Sequence, residues 1–333
     1  MSHQSHAKDW AKEHMKGLWT SPMYPFKSNY DLDESGIKNN VEYMIAVKSA
    51  GIGFGFSEPW VVSRKDRMRA MAVSVEAVNK RVPAYLHTTD HSVEETIELT
   101  NYAKDIGADA VMIWPPYEWA KTQEMICDYY EYVASKVNIP IFLYNTYHSG
   151  INMSPQTIER LSRIANVCAL KDAVNDRAHT AQCIDLCGND IVVNDPLEEH
   201  LIKSAVDFDQ QLLLGTTAVF LMQSPTCQPI QDYFDLARQG KIDEASKKFQ
   251  ELQPLRDVWT QIYQVLWDKK GALHPLPYIK YWMDLIGMSA GPVRQPMHNL
   301  TNEQKADFRK KLCASGWVEK LWPDRVKHIE TGL

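Results

Sequence analysis

The chain is poor in every feature that would send it into a membrane or across one. No apolar stretch in its 333 residues reaches the roughly 18 that a spanning helix needs. The opening segment, Met1 to His14, is polar and lacks the apolar core of a secretory signal, so a cytoplasmic location is expected. Cysteine is sparse: six are scattered without the spacing of a disulfide framework. Cys183 and Cys187 stand four apart and would share a helix face. With no second ligand pair nearby they predict reduced, buried thiols and no metal. His87 and His91 flank Thr88-Thr89-Asp90, a stretch better explained as a loop with capping residues than as a metal site. A net charge of -6 is mild and argues against a nucleic-acid partner. No GxGxxG follows an early strand, so a nucleotide or flavin site of the doubly wound kind is not indicated. No Gly-, Ser- or Pro-rich linker marks an independent second domain.

What is present is an ordinary globular composition, 44% hydrophobic and 23% charged, arranged as alternating strand-like and helix-like segments. Eight short apolar runs predict strands: Leu18 to Met23, Ile52 to Phe56, Pro83 to His87, Ala108 to Trp114, Pro140 to Asn145, Val167 to Lys171, Ile191 to Asn194 and Gln211 to Gly215. Continuous apolarity is the pattern of a parallel strand covered on both faces. Between them, Asp33 to Ala50 sets Ile37, Val41, Met44 and Val47 on one helical stripe. Ser154 with Pro155 begins a helix as N-cap and first residue, and Ser92 with Glu95 has capping-box spacing. Eight strands and eight crossovers are the count of an α/β fold, a TIM (β/α)8 barrel, with a doubly wound open sheet as the competitor, and from about Thr226 onward the pattern is helical to the C-terminus. The expected organisation is a polar segment over 1–16, the barrel over 17–225 and a helical region over 226–333.

Lys171 stands out. It ends the apolar run Asn166-Val167-Cys168-Ala169-Leu170-Lys171, where burial disfavours the ammonium form and lowers the pKa. A neutral amine is what attack on a ketone requires. Tyr144 closes the preceding strand, and neighbouring strand ends can bring a phenol and an amine together. A lysine that merely caps its strand and points to water fits the local pattern as well.

The order and spacing of Tyr144-Asn145, Ser154-Pro155 with Ile158 and Leu161, and Leu170-Lys171-Asp172 resembles the dihydrodipicolinate synthase and N-acetylneuraminate lyase family of class I, pyruvate-type aldolases. The resemblance extends to Thr20-Ser21-Pro22-Met23, Glu58 and Pro115-Pro116-Tyr117. Near the C-terminal side it includes Pro275-Leu276-Pro277, Lys280, Gly287 and Gly291-Pro292-Val293-Arg294-Gln295-Pro296. It implies a Schiff-base carbon–carbon lyase that needs no cofactor. Lys171 would form the iminium and Tyr144 would relay protons. Its small-molecule partners would be a 2-oxo acid such as pyruvate and an aldehyde, in a homo-oligomer, tetramer or dimer.

Departures from the family pattern bear on the substrate. Where most members carry Gly-Thr-Thr-Gly-Glu, this chain has Phe54-Gly55-Phe56-Ser57-Glu58, without either threonine. The amides of Phe56 and Ser57 and the Ser57 hydroxyl remain to hold a carboxylate. Glu118 stands where many members supply an interfacial tyrosine. Past Tyr144-Asn145 the stretch Thr146-Tyr147-His148-Ser149-Gly150 lacks the synthase branch's arginine, and Asp195 replaces a typical glycine. The expected substrate-binding set is therefore Gly55, Phe56, Ser57, Glu58, Glu118, His148, Asp195 and Leu213. Two added carboxylates and a lost arginine predict a neutral or cationic distal group on a 4-hydroxy-2-oxo acid. The aromatic residues Trp60, Trp114, Trp119 and Tyr147 suit instead an aromatic aldehyde, as in the hydratase-aldolase branch. Dehydration of an aromatic or sugar-derived oxo acid keeps the same Schiff base. Loss of both threonines also admits an inactive barrel with a binding role.

Overall fold

The computed structural model describes residues 6–55, 61–115, 121–146, 149–215, 217–267 and 275–332. Its eight strands are β1 (Gly17–Thr20), β2 (Gly51–Phe54), β3 (Ala84–His87), β4 (Ala110–Ile113), β5 (Ile141–Thr146), β6 (Val167–Ala173), β7 (Val192–Asn194) and β8 (Leu212–Leu214). They form one sheet in the order β7-β6-β5-β4-β3-β2-β1-β8, with parallel pairing throughout the registered pairs. The fold is the expected (β/α)8 barrel with a C-terminal helical extension. No described helix is long and apolar enough to cross a membrane.

The chain divides into two compact units. The first, residues 1–19, 50–54 and 78–216, holds nearly all of the sheet. Its helices are α1 (Ala7–His14), then, after α2 (Glu34–Ala46) and α3 (Arg64–Val78), α4 (Val93–Asp105), α5 (Gln123–Lys136), α6 (Pro155–Ser162), α7 (Arg177–Cys187) and α8 (Leu201–Asp207). Ser154 caps α6 by accepting from Thr157 N, with Pro155 at the first position, as its sequence requires. Ser92 likewise accepts from Glu95 N at the start of α4.

Aromatic rings from alternate strands fill the barrel. Trp19 on β1, Tyr85 on β3 and Phe142 on β5 lie with centroids 5.6 to 6.2 Å apart. Room for them comes from β2, where Cβ atoms on Gly51 and Gly53 would fall 2.3 and 2.1 Å from the Trp19 and Tyr85 rings. Side-chain layers drawn from alternate strands are how small barrels close without a pore. From the N-terminal face, Trp10 of α1 stacks on Phe142 at 6.2 Å. Part of the polar opening segment is thus an ordered helix, with Ala7 and Ala11 buried.

Between β7 and β8 a side chain replaces part of the ladder. Asn194 donates from Nδ2 to Leu212 O at 2.9 Å and accepts from Leu214 N at 3.0 Å. An amide carries the same donor–acceptor pair as a peptide group, so it can stand in for one.

The second unit comprises residues 20–49, 55–77 and 217–333. It contains α2, most of α3, and α9 (Ala218–Leu221) through α10 (Pro229–Arg238), α11 (Ile242–Glu251), α12 (Gln253–Trp267), α13 (Leu276–Leu285), α14 (Asn302–Ala314), α15 (Val318–Leu321) and α16 (Val326–Thr331). On α2 the stripe Ile37, Val41 and Met44 is buried, and so is Val47 just past its end. The helix stops at Ala46, short of the expected Ala50, because Lys48 adopts a left-handed φ of 62°. Lys280 is buried, with Nζ donating to the carbonyls of Tyr24 at 2.9 Å and Pro292 at 3.0 Å. That accounts for this lysine structurally: its charge is solvated by backbone oxygens instead of water.

Candidate active site

Strand β6 continues two residues past the lysine, so Lys171 lies inside the strand and not at its end. The parallel register sets it directly opposite Tyr144 on β5, and Asp172 opposite Asn145. Alternation then sorts the four side chains onto two faces. Lys171 and Tyr144 meet on one, with Nζ 4.9 Å from the Tyr144 ring centroid. Asn145 and Asp172 meet on the other, against α7.

The Lys171 side chain is buried, 5% exposed, and desolvation lowers its pKa from 10.5 to about 8. The consequence is a gain in free amine at neutral pH on the order of a few hundredfold over an ordinary lysine. Tyr144 is partly exposed but largely enclosed by protein, and burial pushes its phenol up to about 12. A hydrogen bond with the Thr146 side chain, two residues on and on the same face, works in the opposite direction. The pair therefore holds a phenol that keeps its proton beside an amine that gives one up.

Next to Tyr144 lies a buried aromatic cluster. The Trp114 ring lies 5.3 Å from that of Tyr144, and His87 lies 4.3 Å from Trp114. Strands β3, β4 and β5 thus end in a contiguous set of flat, apolar-faced rings.

The other sequence-predicted residues are placed as follows. Gly55 directly follows β2 with φ 88°, a left-handed conformation suited to glycine. Leu213 lies in β8, fully buried and paired with Leu18. Phe56, Ser57, Glu58, Glu118 and His148 lie outside the described residues, as do Trp60, Trp119 and Tyr147. Asp195 follows β7 and is 3% exposed. Its Oδ2 meets Arg177 Nη1 at 3.3 Å and His200 Nδ1 at 2.9 Å, and its Oδ1 accepts from Leu197 N at 3.1 Å. That carboxylate is balanced within its own network, so it does not contribute the uncompensated negative charge expected of it.

Four polar residues that sequence reasoning did not assign to the site support it from behind. Asn145 Nδ2 donates to Asp172 Oδ1 at 3.0 Å and to Met153 O at 3.2 Å, while its Oδ1 accepts from Met153 N at 2.9 Å. Asp172 Oδ2 accepts from Thr180 Oγ1 at 2.7 Å and meets His179 Nδ1 at 2.9 Å. A signal for Asn145 existed, since it directly follows Tyr144; none marks His179 in the helix that follows. Among the described residues, Asp172, His179 and Cys183 bring ligand-type atoms within 4.8 Å of one another. The Asp172 carboxylate, however, is already engaged with Asn145, His179 and Thr180, and this grouping is a hydrogen-bond network.

A sequence profile of the Dihydrodipicolinate synthetase family matches residues 14–315. A 4-hydroxy-tetrahydrodipicolinate synthase from Methanococcus maripaludis is 27% identical over 311 residues, covering 92% of this chain and all of the relative. The synthase from Syntrophobacter fumaroxidans is 32% identical over 246 residues, 72% of this chain and 81% of its own length. In three dimensions, the dihydrodipicolinate synthase of Bacteroides thetaiotaomicron aligns with TM-score 0.79 at 22% identity, over 90% of this chain and 98% of that one. A prophage protein of the dihydrodipicolinic acid synthase family from E. coli K12, solved in complex with pyruvate, aligns with TM-score 0.77 at 23% identity, again over 90% and 98%.

Proposed function

Because the chain belongs to the dihydrodipicolinate synthetase family and is a class I aldolase-type enzyme, we propose that it forms or cleaves a 4-hydroxy-2-oxo acid through a Schiff base at Lys171. The observation that carries this reading is the pairing of a buried amine of pKa about 8 with a phenol opposite it in register. Lys171 Nζ attacks the ketone carbon, giving a carbinolamine. Tyr144 supplies a proton to the departing hydroxyl, and loss of water leaves the iminium. In the cleavage direction the substrate's 4-hydroxyl loses its proton and the C3–C4 bond breaks. The aldehyde departs and the bonding pair moves into the iminium as an enamine. Protonation of the enamine and hydrolysis then release pyruvate and restore the lysine.

The fixed half of the substrate is the 2-oxo acid and the variable half the aldehyde. With Asp195 held by Arg177 and His200, the case for a cationic distal group rests on Glu118, and the case for a neutral one is stronger. The partly exposed Tyr144 ring, in contact with the buried rings of Trp114 and, through it, His87, favours a flat, apolar aldehyde. That observation also supports a second reading, a hydratase-aldolase acting on an aromatic oxo acid with the same Schiff base. A binding-only barrel is disfavoured by the paired amine and phenol.

The test is borohydride trapping with pyruvate and a panel of 2-oxo acids, followed by peptide mass spectrometry. A reduced adduct on Lys171 supports the reading, and its absence from folded protein with every acid overturns it. Competition among hydroxy-oxo acids differing only in the distal group then decides the aldehyde half. Preference for a distal carboxylate would reject the neutral or cationic assignment.

A further inference from the structure

His179 on α7 presents both ring nitrogens to acceptors. Nε2 lies 2.9 Å from Met153 O, and Nδ1 lies 2.9 Å from Asp172 Oδ2. A carbonyl oxygen only accepts, so Nε2 carries hydrogen. The orientation of Asn145 is set by Met153 N–H donating to its Oδ1, so its NH2 faces Asp172 Oδ1. The Thr180 hydroxyl donates to Oδ2. Donors therefore meet both Asp172 oxygens, which is the environment of a carboxylate, and Nδ1 must donate as well. Imidazole is the stronger base of the two types, so the shared proton belongs to the ring.

We propose that His179 is a positioning residue held as an imidazolium, tying the segment after β5 to the back of β6 behind the Lys171–Tyr144 pair. Its two hydrogen bonds join Met153, at the far end of the segment Ser149–Met153, to Asp172, the residue next to Lys171. With Asn145 they form a clamp in which the faces of β5 and β6 turned away from the chemistry fix the faces turned toward it.

The charged surroundings agree. Asp172 comes from β6, and Asp176, the N-cap of α7, adds a second carboxylate. Both raise the His179 pKa, with the Asp172 hydrogen bond the largest cause and burial opposing it. Cys183 Sγ lies 3.6 Å from Nδ1, but burial pushes that thiol up, so it stays neutral. On α6, Glu159 pairs with Arg163, and Arg160 with Glu124 and Glu131. Strand β7 carries no charged residue. As pH rises through the His179 pKa, Nδ1 turns a lone pair toward the Asp172 carboxylate and the clamp loosens.

The catalytic half of this inference rests on the Schiff-base reading, and the charge state does not. Imidazole 15N–1H correlations on histidine-labelled full-length protein, assigned with His179→Gln, read the charge directly. Expected is a ring protonated at both nitrogens at a pH where an ordinary histidine is half neutral (about 6.5), with its midpoint above that value. A ring with one protonated nitrogen there overturns the proposal.

The second arm measures the rate of adduct formation at Lys171 against pH. His179→Asn restores a donor toward Asp172, and His179→Gln restores one toward Met153. Both should fall between the wild type and His179→Leu, which should be slower by about tenfold for loss of hydrogen bonds to a charged group. The wild type should show a decline in rate at the His179 midpoint, separate from the limb assigned to Tyr144, and that decline should be missing from all three variants. A His179→Leu protein matching the wild type in rate and pH profile overturns the positioning role. If the wild type forms no adduct, the Schiff-base reading fails while the spectra still decide the charge.

Discussion

Asn145 and Asp172 stand opposite one another on β5 and β6 and are joined by a 3.0 Å hydrogen bond, one residue past the Tyr144–Lys171 pair on the reverse face of the same two strands. Strand alternation makes these two pairs inseparable: whatever fixes the outer pair also sets the register of the inner one.

Replacing Lys171 with arginine should abolish the borohydride adduct and lower turnover by on the order of a thousandfold or more, since a fixed cation cannot attack a ketone. Circular dichroism should show the barrel intact. An adduct that persists on another lysine would refute the assignment.

Burial of Lys171 has a cost that pH exposes. Its folded pKa, about 8, lies below the unfolded value near 10.5. Between these values the unfolded chain binds the proton and the folded one does not, so stability rises with pH across that window. Below it the penalty is fully present, about 3 kcal/mol by the size of the shift. Lys171→Met should therefore raise the urea midpoint at neutral pH and flatten the dependence between about 8 and 10.5.

Removing the phenol with Tyr144→Phe should slow both formation and release of the adduct, by about a hundredfold or more if Tyr144 is the proton relay. Thr146→Val removes a hydrogen bond that lowers the Tyr144 pKa. It should produce a smaller loss, about tenfold, with the limb of the pH profile assigned to Tyr144 moved upward. Rapid-mixing measurements of adduct formation separate the two effects from changes in affinity.

Asn194→Leu should destabilise the protein by about 2–4 kcal/mol, because the buried Leu212 carbonyl and Leu214 amide would lose their partner between β7 and β8. Chemical denaturation measures it. A change below about 0.5 kcal/mol would mean that this side chain is not what bridges those strands.

Gly53→Ala should destabilise by about 1–3 kcal/mol or more, since the new methyl would fall 2.1 Å from the Tyr85 ring at the barrel's centre. Tyr85→Leu in the same chain should recover part of the loss, and a double-mutant cycle reports the coupling.

Much of the architecture was legible in the sequence. Parallel strands buried on both faces must be apolar along their length, so eight short runs announced eight strands. Ser154-Pro155 announced its helix through local backbone chemistry. Less legible were the points where a polar residue enters the sheet with a distant partner. In the sequence the apolar β6 pattern ends at Lys171 because Asp172 is charged, yet the strand continues through Ala173. Asp172 is tolerated there because Asn145, His179 and Thr180 satisfy it. Asp195 carried the opposite lesson. It looked like a charge aimed at substrate until Arg177, 18 positions earlier, proved to reach it.

Alone, the sequence determined the periodicities, the caps and the presence of an amine and a phenol on neighbouring strands. Those follow from local sterics and from which residues can be buried. Only the tertiary structure decided the register that sets Lys171 against Tyr144, the amide that bridges β7 and β8, and the balance of charge around Asp172 and Asp195. Such properties depend on which atoms lie within a few ångströms across the fold, and a linear pattern does not contain those distances.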